Sequence, residues 1–299
     1  MARRMFLKRI GFALVAVVCF FALLEGLLWV AGGVRSRWIQ PRVTGGGGRT
    51  LVCVGDSVTF GLGADTDQSY PSQLARLPEI RGRDVQVVNL GRPGQSLRGA
   101  VAGLRDYLTD RPAGEGTLVL LLGGFNDCVH LPGMFTEHAT VQQPAPVQAF
   151  LARFRTYRLL RNLLARVPER DSGSDTLLPP VGTGHDRDLC RNELGPGALD
   201  AALRLSAQHG FQLLVTTYPI PLRAQHSDLP TVTAAVNEIL REETRRRGVP
   251  LLDTVACVQE AEQASSEPFF NDDGIHLFAR GYAAMARCLA RMLASFLSP

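Results

Sequence analysis

The chain of 299 residues is long enough to bury one sizeable core and to carry an accessory segment. Its hydrophobic content of 45% and charged content of 20% are those of an ordinary globular protein and exclude an intrinsically disordered one. The net charge of +4 arises at the N-terminus: residues 1–49 hold eight basic side chains against one acidic, and the remainder has a net charge of −3. A slightly acidic folded part argues against nucleic acid as a partner.

The N-terminal segment has the pattern of a membrane anchor. Four basic residues within the first nine precede residues 10–34, a run of 25 residues whose single charge is Glu25. A run of this length spans a bilayer as a helix, and its basic flank favours a cytoplasmic N-terminus. We therefore predict a signal-anchor helix in residues 1–34, a single pass through the inner membrane and an extracytoplasmic remainder. Cleavage and secretion is the alternative, although a usual signal peptide has a shorter apolar run.

A flexible linker is predicted over residues 35–49, since Gly45 to Gly48 are consecutive glycines. The rest of the chain, residues 50–299, alternates short apolar runs with helical periodicity. This alternation predicts an α/β domain with a doubly wound parallel sheet. The five predicted strands are Leu51–Val54, Val85–Asn89, Thr117–Leu122, Phe211–Thr216 and Val249–Asp253. The predicted helices between and after them are Tyr70–Leu77, Ser96–Leu108, Ala198–His209, Val232–Arg247 and Ala279–Leu297.

An insertion is predicted at residues 129–196, where the alternation is interrupted. Within it, Val147–Ala165 has the pattern of a basic amphipathic helix, and Pro168–Gly195 is typical of a loop because it is rich in Pro, Gly and Asp. Residues 129–147 are either a mobile lid or a plain packing loop.

The six cysteines include no Cys-x-x-Cys pair, so the sequence indicates neither a zinc site nor a redox motif. Cys53 and Cys288 fall in a predicted strand and a predicted helix, where cysteine usually serves as a small core hydrophobe. Cys128 and Cys190 flank the irregular region and are able to pair in an oxidising compartment, which the sequence alone leaves open. We predict no metal and no cofactor.

Polar segments follow the first three predicted strands and precede the last helix. They are Gly55-Asp56-Ser57, residues 89–96, residues 123–127 and residues 273–276. Because the carboxyl ends of parallel strands meet at one edge of a sheet, we expect these segments to converge on an active site.

Three of these residues suit nucleophilic catalysis. Ser57 attacks a carbonyl when a base removes its proton, and His276 is the candidate base. Asp273 is placed to fix the imidazole tautomer and to stabilise the imidazolium, with its neighbour Asp272 as an alternative. The structural alternatives are that Ser57 caps the next helix and that His276 is a capping residue.

The tetrahedral oxyanion of acyl transfer also needs donors. A glycine after the second strand offers its backbone N–H, the Asn126 amide offers a second donor and the Ser57 N–H a third. Alternatively, Asn126 and Asp127 only form a turn.

The four segments resemble, in order, the sequence blocks of the SGNH/GDSL hydrolases. Residues 55–61 resemble the first block, residues 91–94 the second, residues 124–127 the Gly-x-Asn-Asp block and residues 273–276 the Asp-x-x-His block. The resemblance covers about residues 50–299. It implies a flavodoxin-like three-layer sandwich, Ser57 as nucleophile, an Asp273–His276 pair, and Gly94 and Asn126 in the oxyanion hole.

The predicted function is that of a serine esterase that forms an acyl-enzyme on Ser57. The expected substrates are acetyl or short acyl esters of envelope glycan or lipid, and the expected partners are such a substrate and the membrane. An extracytoplasmic O-acyltransferase that uses the same site is one alternative, and a non-catalytic tethered binding module is the other.

Overall fold

The structure is a computed structural model. It describes residues 19–27, 42–45, 48–114, 116–129, 156, 184–222 and 229–297. The chain forms two compact units, one of residues 1–40 and 142–178 and the other of residues 41–141 and 179–299. The strands described below and all candidate site residues belong to the second unit.

The second unit is built on a six-stranded sheet. Its strands are β1 (Arg42–Thr44), β2 (Arg49–Gly55), β3 (Val85–Asn89), β4 (Leu118–Leu122), β5 (Gln212–Thr216) and β6 (Leu251–Leu252). Their order is β1-β3-β2-β4-β5-β6, in which β2 to β6 run parallel and β1 pairs antiparallel with β3 at the edge. The five parallel strands have the doubly wound order of flavodoxin-like folds.

The predicted parallel sheet is therefore present, but the predicted total of five strands is wrong. The sixth strand, β1, lies in the segment interpreted as a linker. Its three residues, Arg-Val-Thr, carry no apolar alternation, and they join the sheet through backbone pairing with residues 87–89. Such a short edge strand has no sequence signal of its own.

Ten helices and one π-helical stretch are defined among the described residues of this unit. They are α1 (Ser57–Phe60), α2 (Tyr70–Leu74), α3 (Pro78–Arg81), α4 (Leu97–Asp110), α5 (Phe125–Cys128), α6 (Gly184–Asn192), the π-helical Glu193–Leu199, α7 (Asp200–His209), α8 (Leu229–Arg247), α9 (Val255–Gln263) and α10 (Ala279–Leu293). One group of contacting helices contains α2, α9 and α10, and another contains α4, α7, α8 and the π-helical stretch.

Burial explains why the central elements form where they do. β4 is buried at all five positions, as expected for a strand covered on both faces. α4 begins at Ser96, whose side chain accepts a hydrogen bond from the Gly99 N–H. The buried residues of α4 recur at helical spacing: Leu97, Ala100, Val101, Leu104 and Leu108.

The loop predicted over Pro168–Gly195 is wrong for residues 184–195, which form α6 and the start of the π-helical stretch. Arg191 of α6 forms an ion pair with Glu242 of α8 at 2.8 Å, and Leu194 is fully buried. These tertiary contacts stabilise helical structure in a segment whose Gly and Pro content indicated a loop.

Two disulfides are present, Cys128–Cys190 and Cys257–Cys288. The first realises the pairing that the sequence left open. The expectation of a free core cysteine is confirmed for Cys53, which is buried and unpaired, and is wrong for Cys288.

The first unit is described at residues 19–27, which are helical, and at Thr156. Glu25 Oε2 accepts hydrogen bonds from the Thr156 N–H at 2.8 Å and from the Thr156 hydroxyl at 2.7 Å. Among the described residues no helix is both long and apolar enough to cross a membrane. Four of the predicted segments lie mostly outside the described residues. They are the apolar run of the anchor (residues 10–34), the linker, the amphipathic helix and residues 129–147.

Candidate active site

Ser57 opens α1 directly after β2. Asp56 is the N-cap of this short helix, because its Oδ1 accepts a hydrogen bond from the Val58 N–H at 3.0 Å. The structural alternative that Ser57 caps the helix is therefore wrong, and the Ser57 hydroxyl has a different partner.

That partner is His276. The Ser57 Oγ lies 2.8 Å from His276 Nε2, and His276 Nδ1 lies 2.6 Å from Asp273 Oδ2. The other oxygen of Asp273 accepts the backbone N–H groups of Ile275 and His276, each at 2.9 Å. Asp272 is exposed, so the carboxylate that the structure places on the imidazole is that of Asp273.

The environment of Asp273 favours its charged form. Burial raises the pKa of this half-buried carboxyl, but the hydrogen bonds from His276 and from the two backbone N–H groups outweigh burial and hold the pKa below its ordinary value. Asp273 is thus a carboxylate at neutral pH and is able to orient the imidazole and stabilise its protonated form.

The candidate oxyanion residues Asn126 and Gly94 lie on two adjacent segments. Asn126 is in α5, and its Nδ2 donates to the backbone oxygen of Gln95 at 3.1 Å, which joins α5 to the loop that carries Gly94. Gly94 is exposed and has a φ of +71°, and a Cβ on it would meet nothing within 4 Å. The side of Gly94 on which a Cβ would lie is therefore open.

The Asp127 side chain is turned into the protein and makes a structural hydrogen bond. Its Oδ2 accepts the Leu97 N–H at 2.8 Å, at the first residue of α4, and the side chain is buried. The Asp127 N–H also donates to the Gly124 oxygen, so the turn considered as an alternative exists together with the placement of Asn126.

Sequence reasoning missed Tyr218 and its contact with Asp56; both residues are buried. The Tyr218 hydroxyl donates to Asp56 Oδ2, and Asn126 Nδ2 lies 3.5 Å from the same oxygen. Burial raises the pKa of Asp56 to about 6, against the lowering effect of the hydrogen bonds from Tyr218 and Val58. A sequence signal for Tyr218 was its position just after β5, at the edge where the other polar segments end.

Among the described residues, no group of three or more His, Cys, Asp and Glu side chains is arranged to hold a metal ion.

Comparison with protein-family models gives a match of residues 53–284 to the GDSL-like Lipase/Acylhydrolase family. A comparison with curated proteins finds no significant match.

Solved structures with a similar fold include three hydrolases. A member of the lipolytic protein G-D-S-L family from Veillonella parvula is 17% identical, with 81% of this chain and 97% of that chain covered and a TM-score of 0.49. A lipase/acylhydrolase from Enterococcus faecalis is 15% identical, with 84% and 98% covered and a TM-score of 0.47. A variant of an acetyl-xylooligosaccharide esterase from Geobacillus is 16% identical, with 82% and 94% covered and a TM-score of 0.49. At these scores the likenesses carry no argument about the substrate of this chain.

The raised pKa of Asp56 predicts a pH-dependent stability. The pKa is about 6 in the folded protein, whereas an aspartate in an unfolded chain titrates near about 3.9. Between about pH 4 and 6 the folded protein therefore holds a proton that the unfolded chain has released. The free energy of unfolding should fall by about 3 kcal/mol as the pH rises through this window, and this contribution should be constant above it.

Urea unfolding of the wild type and of Asp56→Asn from pH 4 to pH 8 measures this effect. The difference between the two proteins should decline between pH 4 and 6. Asp273, whose pKa is lowered, stabilises the fold above its ordinary pKa and loses that effect only at more acidic pH, outside the window. A difference that stays flat from pH 4 to 6 contradicts the assignment.

Proposed function

The chain belongs to the GDSL-like lipase/acylhydrolase family and hydrolyses ester bonds, and we propose that it does so through an acyl-enzyme on Ser57. The observation that carries this proposal is the continuous hydrogen-bonded line from Ser57 Oγ through His276 to Asp273. This line supports the proposal, because acyl transfer by a serine needs a base beside its oxygen and a carboxylate beside that base.

Acylation begins with removal of the Ser57 proton. His276 Nε2, at 2.8 Å, takes the proton as Oγ attacks the ester carbonyl, and the Asp273 carboxylate stabilises the imidazolium that forms. His276 then gives the proton to the leaving alcohol oxygen, the ester C–O bond breaks, and the acyl group remains on Ser57.

Deacylation repeats the same steps with water. His276 takes a proton from the water that attacks the acyl carbonyl and returns it to Ser57 Oγ, which releases the carboxylic acid and restores the resting site. The proton transfers in both steps use only side chains and water.

The oxyanion of both tetrahedral intermediates needs donors that are in place before the reaction. We assign the backbone N–H groups of Ser57 and Gly94 and the side-chain amide of Asn126 to this role. One Asn126 hydrogen is taken by the Gln95 carbonyl at 3.1 Å. The other faces Asp56 Oδ2 at 3.5 Å, the outer limit of a hydrogen bond, and is the one available to the oxyanion.

The exposure of the site residues favours esters of large alcohols. Ser57 and His276 are partly exposed and Gly94 is exposed, so within the part of the chain that the structure describes the alcohol side of the ester need not fit an enclosed cavity. We propose acetyl or short acyl esters of envelope glycan or lipid as the substrates.

Two disulfides support an extracytoplasmic location. Disulfides form and persist in oxidising compartments and are rare in the cytosol. Together with the basic flank and apolar run of residues 1–34, they favour a domain tethered to the inner membrane on its outer side.

The location is tested by protease treatment of intact spheroplasts that express the full-length chain. Protease should degrade the domain, and Cys128 and Cys190 should resist alkylation until a reductant is added. A variant that lacks residues 1–34 is the matched control and should be protected inside the cells. Protection of the full-length chain in intact spheroplasts would exclude the proposed location.

The nucleophile and its partners are tested by hydrolysis of p-nitrophenyl esters from acetate to palmitate. Ser57→Ala should lower kcat by about 10⁴- to 10⁶-fold, and His276→Ala by a similar factor. Asp273→Asn should lower kcat by about 10⁴-fold, because the imidazole loses its orienting carboxylate.

Asp272→Asn is the matched control for Asp273→Asn, since the exposed neighbour does not hold the imidazole. Its rate should equal that of the wild type. Ser57→Ala with wild-type activity would refute the proposed function, and a preference for acetate over palmitate would support the short acyl substrates.

A further inference from the structure

Tyr218 is a buried tyrosine held rigidly at the end of β5. Its backbone N–H donates to Asn237 Oδ1 at 2.9 Å, and Asn237 Nδ2 donates to the Tyr218 backbone oxygen at 2.8 Å. Asn237 lies on α8 and, like Tyr218, is almost fully buried. This double clamp fixes the backbone that aims the phenol at the active site.

The Tyr218 hydroxyl joins α1, which carries Ser57, to α5, which carries Asn126. It donates to Asp56 Oδ2, next to the nucleophile, and accepts the N–H of Phe125, next to Asn126, at 3.3 Å. The rings of Tyr218 and Phe125 are also in edge-to-face contact, with centroids 6.4 Å apart.

Two donors face the same oxygen of Asp56, and one of them lies much closer than the other. Its Oδ1 accepts the Val58 N–H, whereas Oδ2 faces both the Tyr218 hydroxyl and, at 3.5 Å, Asn126 Nδ2. The short contact to Tyr218 satisfies Oδ2, and the contact to Asn126 is correspondingly long. A buried carboxylate oxygen without this hydroxyl would be under-solvated and would draw in the remaining donor.

We propose that Tyr218 is a positioning residue that keeps the Asn126 amide available to the oxyanion by satisfying Asp56 Oδ2 in its place. The proposal rests on the Ser57 site proposed above. Tyr218 touches neither Ser57 nor the substrate, and it acts through Asp56 and Asn126.

Loss of the hydroxyl should therefore be a defect of the transition state. In Tyr218→Phe, Asp56 Oδ2 takes the Asn126 hydrogen, and the oxyanion loses that donor. We expect kcat for p-nitrophenyl acetate to fall by about 10- to 100-fold, which is at or below the usual effect of losing one oxyanion donor. KM should change by less than about twofold, because substrate binding does not use this group.

The matched control is Tyr282→Phe. Tyr282 is also buried, and its hydroxyl donates to the backbone oxygen of Leu62 at 2.8 Å, outside the Asp56 network. The variant removes one buried tyrosine hydroxyl bond at a comparable structural cost and should retain the wild-type kcat. Thermal unfolding of both variants verifies that each is folded at the assay temperature.

A double-mutant cycle with Asn126→Ala separates positioning from general stabilisation. If Tyr218 acts through Asn126, then Tyr218→Phe should lower kcat by less than about threefold once the amide is gone. A structural role would give the same 10- to 100-fold loss in both backgrounds, and that additive result would overturn the proposal.

A second cycle uses Asp56→Asn, which removes the carboxylate that competes for the Asn126 hydrogen. Tyr218→Phe should have no further effect on kcat in this background, and a full additional loss would overturn the proposal.

Wild-type hydrolysis that depends on Ser57, together with additive cycles, refutes only the role of Tyr218. Hydrolysis that is independent of Ser57 refutes the proposed function and this inference together.

Discussion

The close approach of backbone segments around the end of β2 is the constraint on which the site depends. A Cβ on Gly55 would lie 2.2 Å from the Leu122 oxygen, and a Cβ on Gly91 would lie 2.2 Å from the Phe60 nitrogen. These two positions therefore require glycine. The first contact packs the end of β2 against the end of β4, and the second packs the loop after β3 against α1. Backbone packing therefore holds Ser57 beside the segments that carry Gly94 and Asn126.

A buried carboxylate at the centre of this packing sets the electrostatics of the site. Burial of the Asp56 carboxylate is unfavourable because it loses water, and this raises the pKa of the group to about 6. The cost is offset by hydrogen bonds from the Val58 N–H in α1 and from the Tyr218 hydroxyl after β5, while Asn126 Nδ2 of α5 lies 3.5 Å away. Because one side chain contacts α1, α5 and the segment after β5, it couples the position of Ser57 to that of Asn126.

The sequence predicts the parts of the site whose residue types are dictated by local chemistry. The glycines at the strand ends and the Asp-x-x-His turn are short-range patterns, and the sheet edge on which they meet follows from the alternation of strands and helices. Other features depend on tertiary contacts that no local pattern encodes. They are strand β1, the helical residues 184–195 and the partner of Cys288. The Tyr218–Asp56 contact is of the same kind, since it joins residues 162 positions apart.

The proposed chemistry requires that the Ser57 oxygen, activated by His276, becomes covalently bonded to the substrate. The most direct measurement is reaction of the full-length chain with an organophosphonate ester, followed by intact-mass analysis and peptide mapping. We expect one adduct, on the peptide that contains Ser57, that abolishes hydrolysis and forms about 100-fold more slowly in His276→Ala. Complete labelling at another residue, or hydrolysis that continues after Ser57 is fully modified, would contradict it.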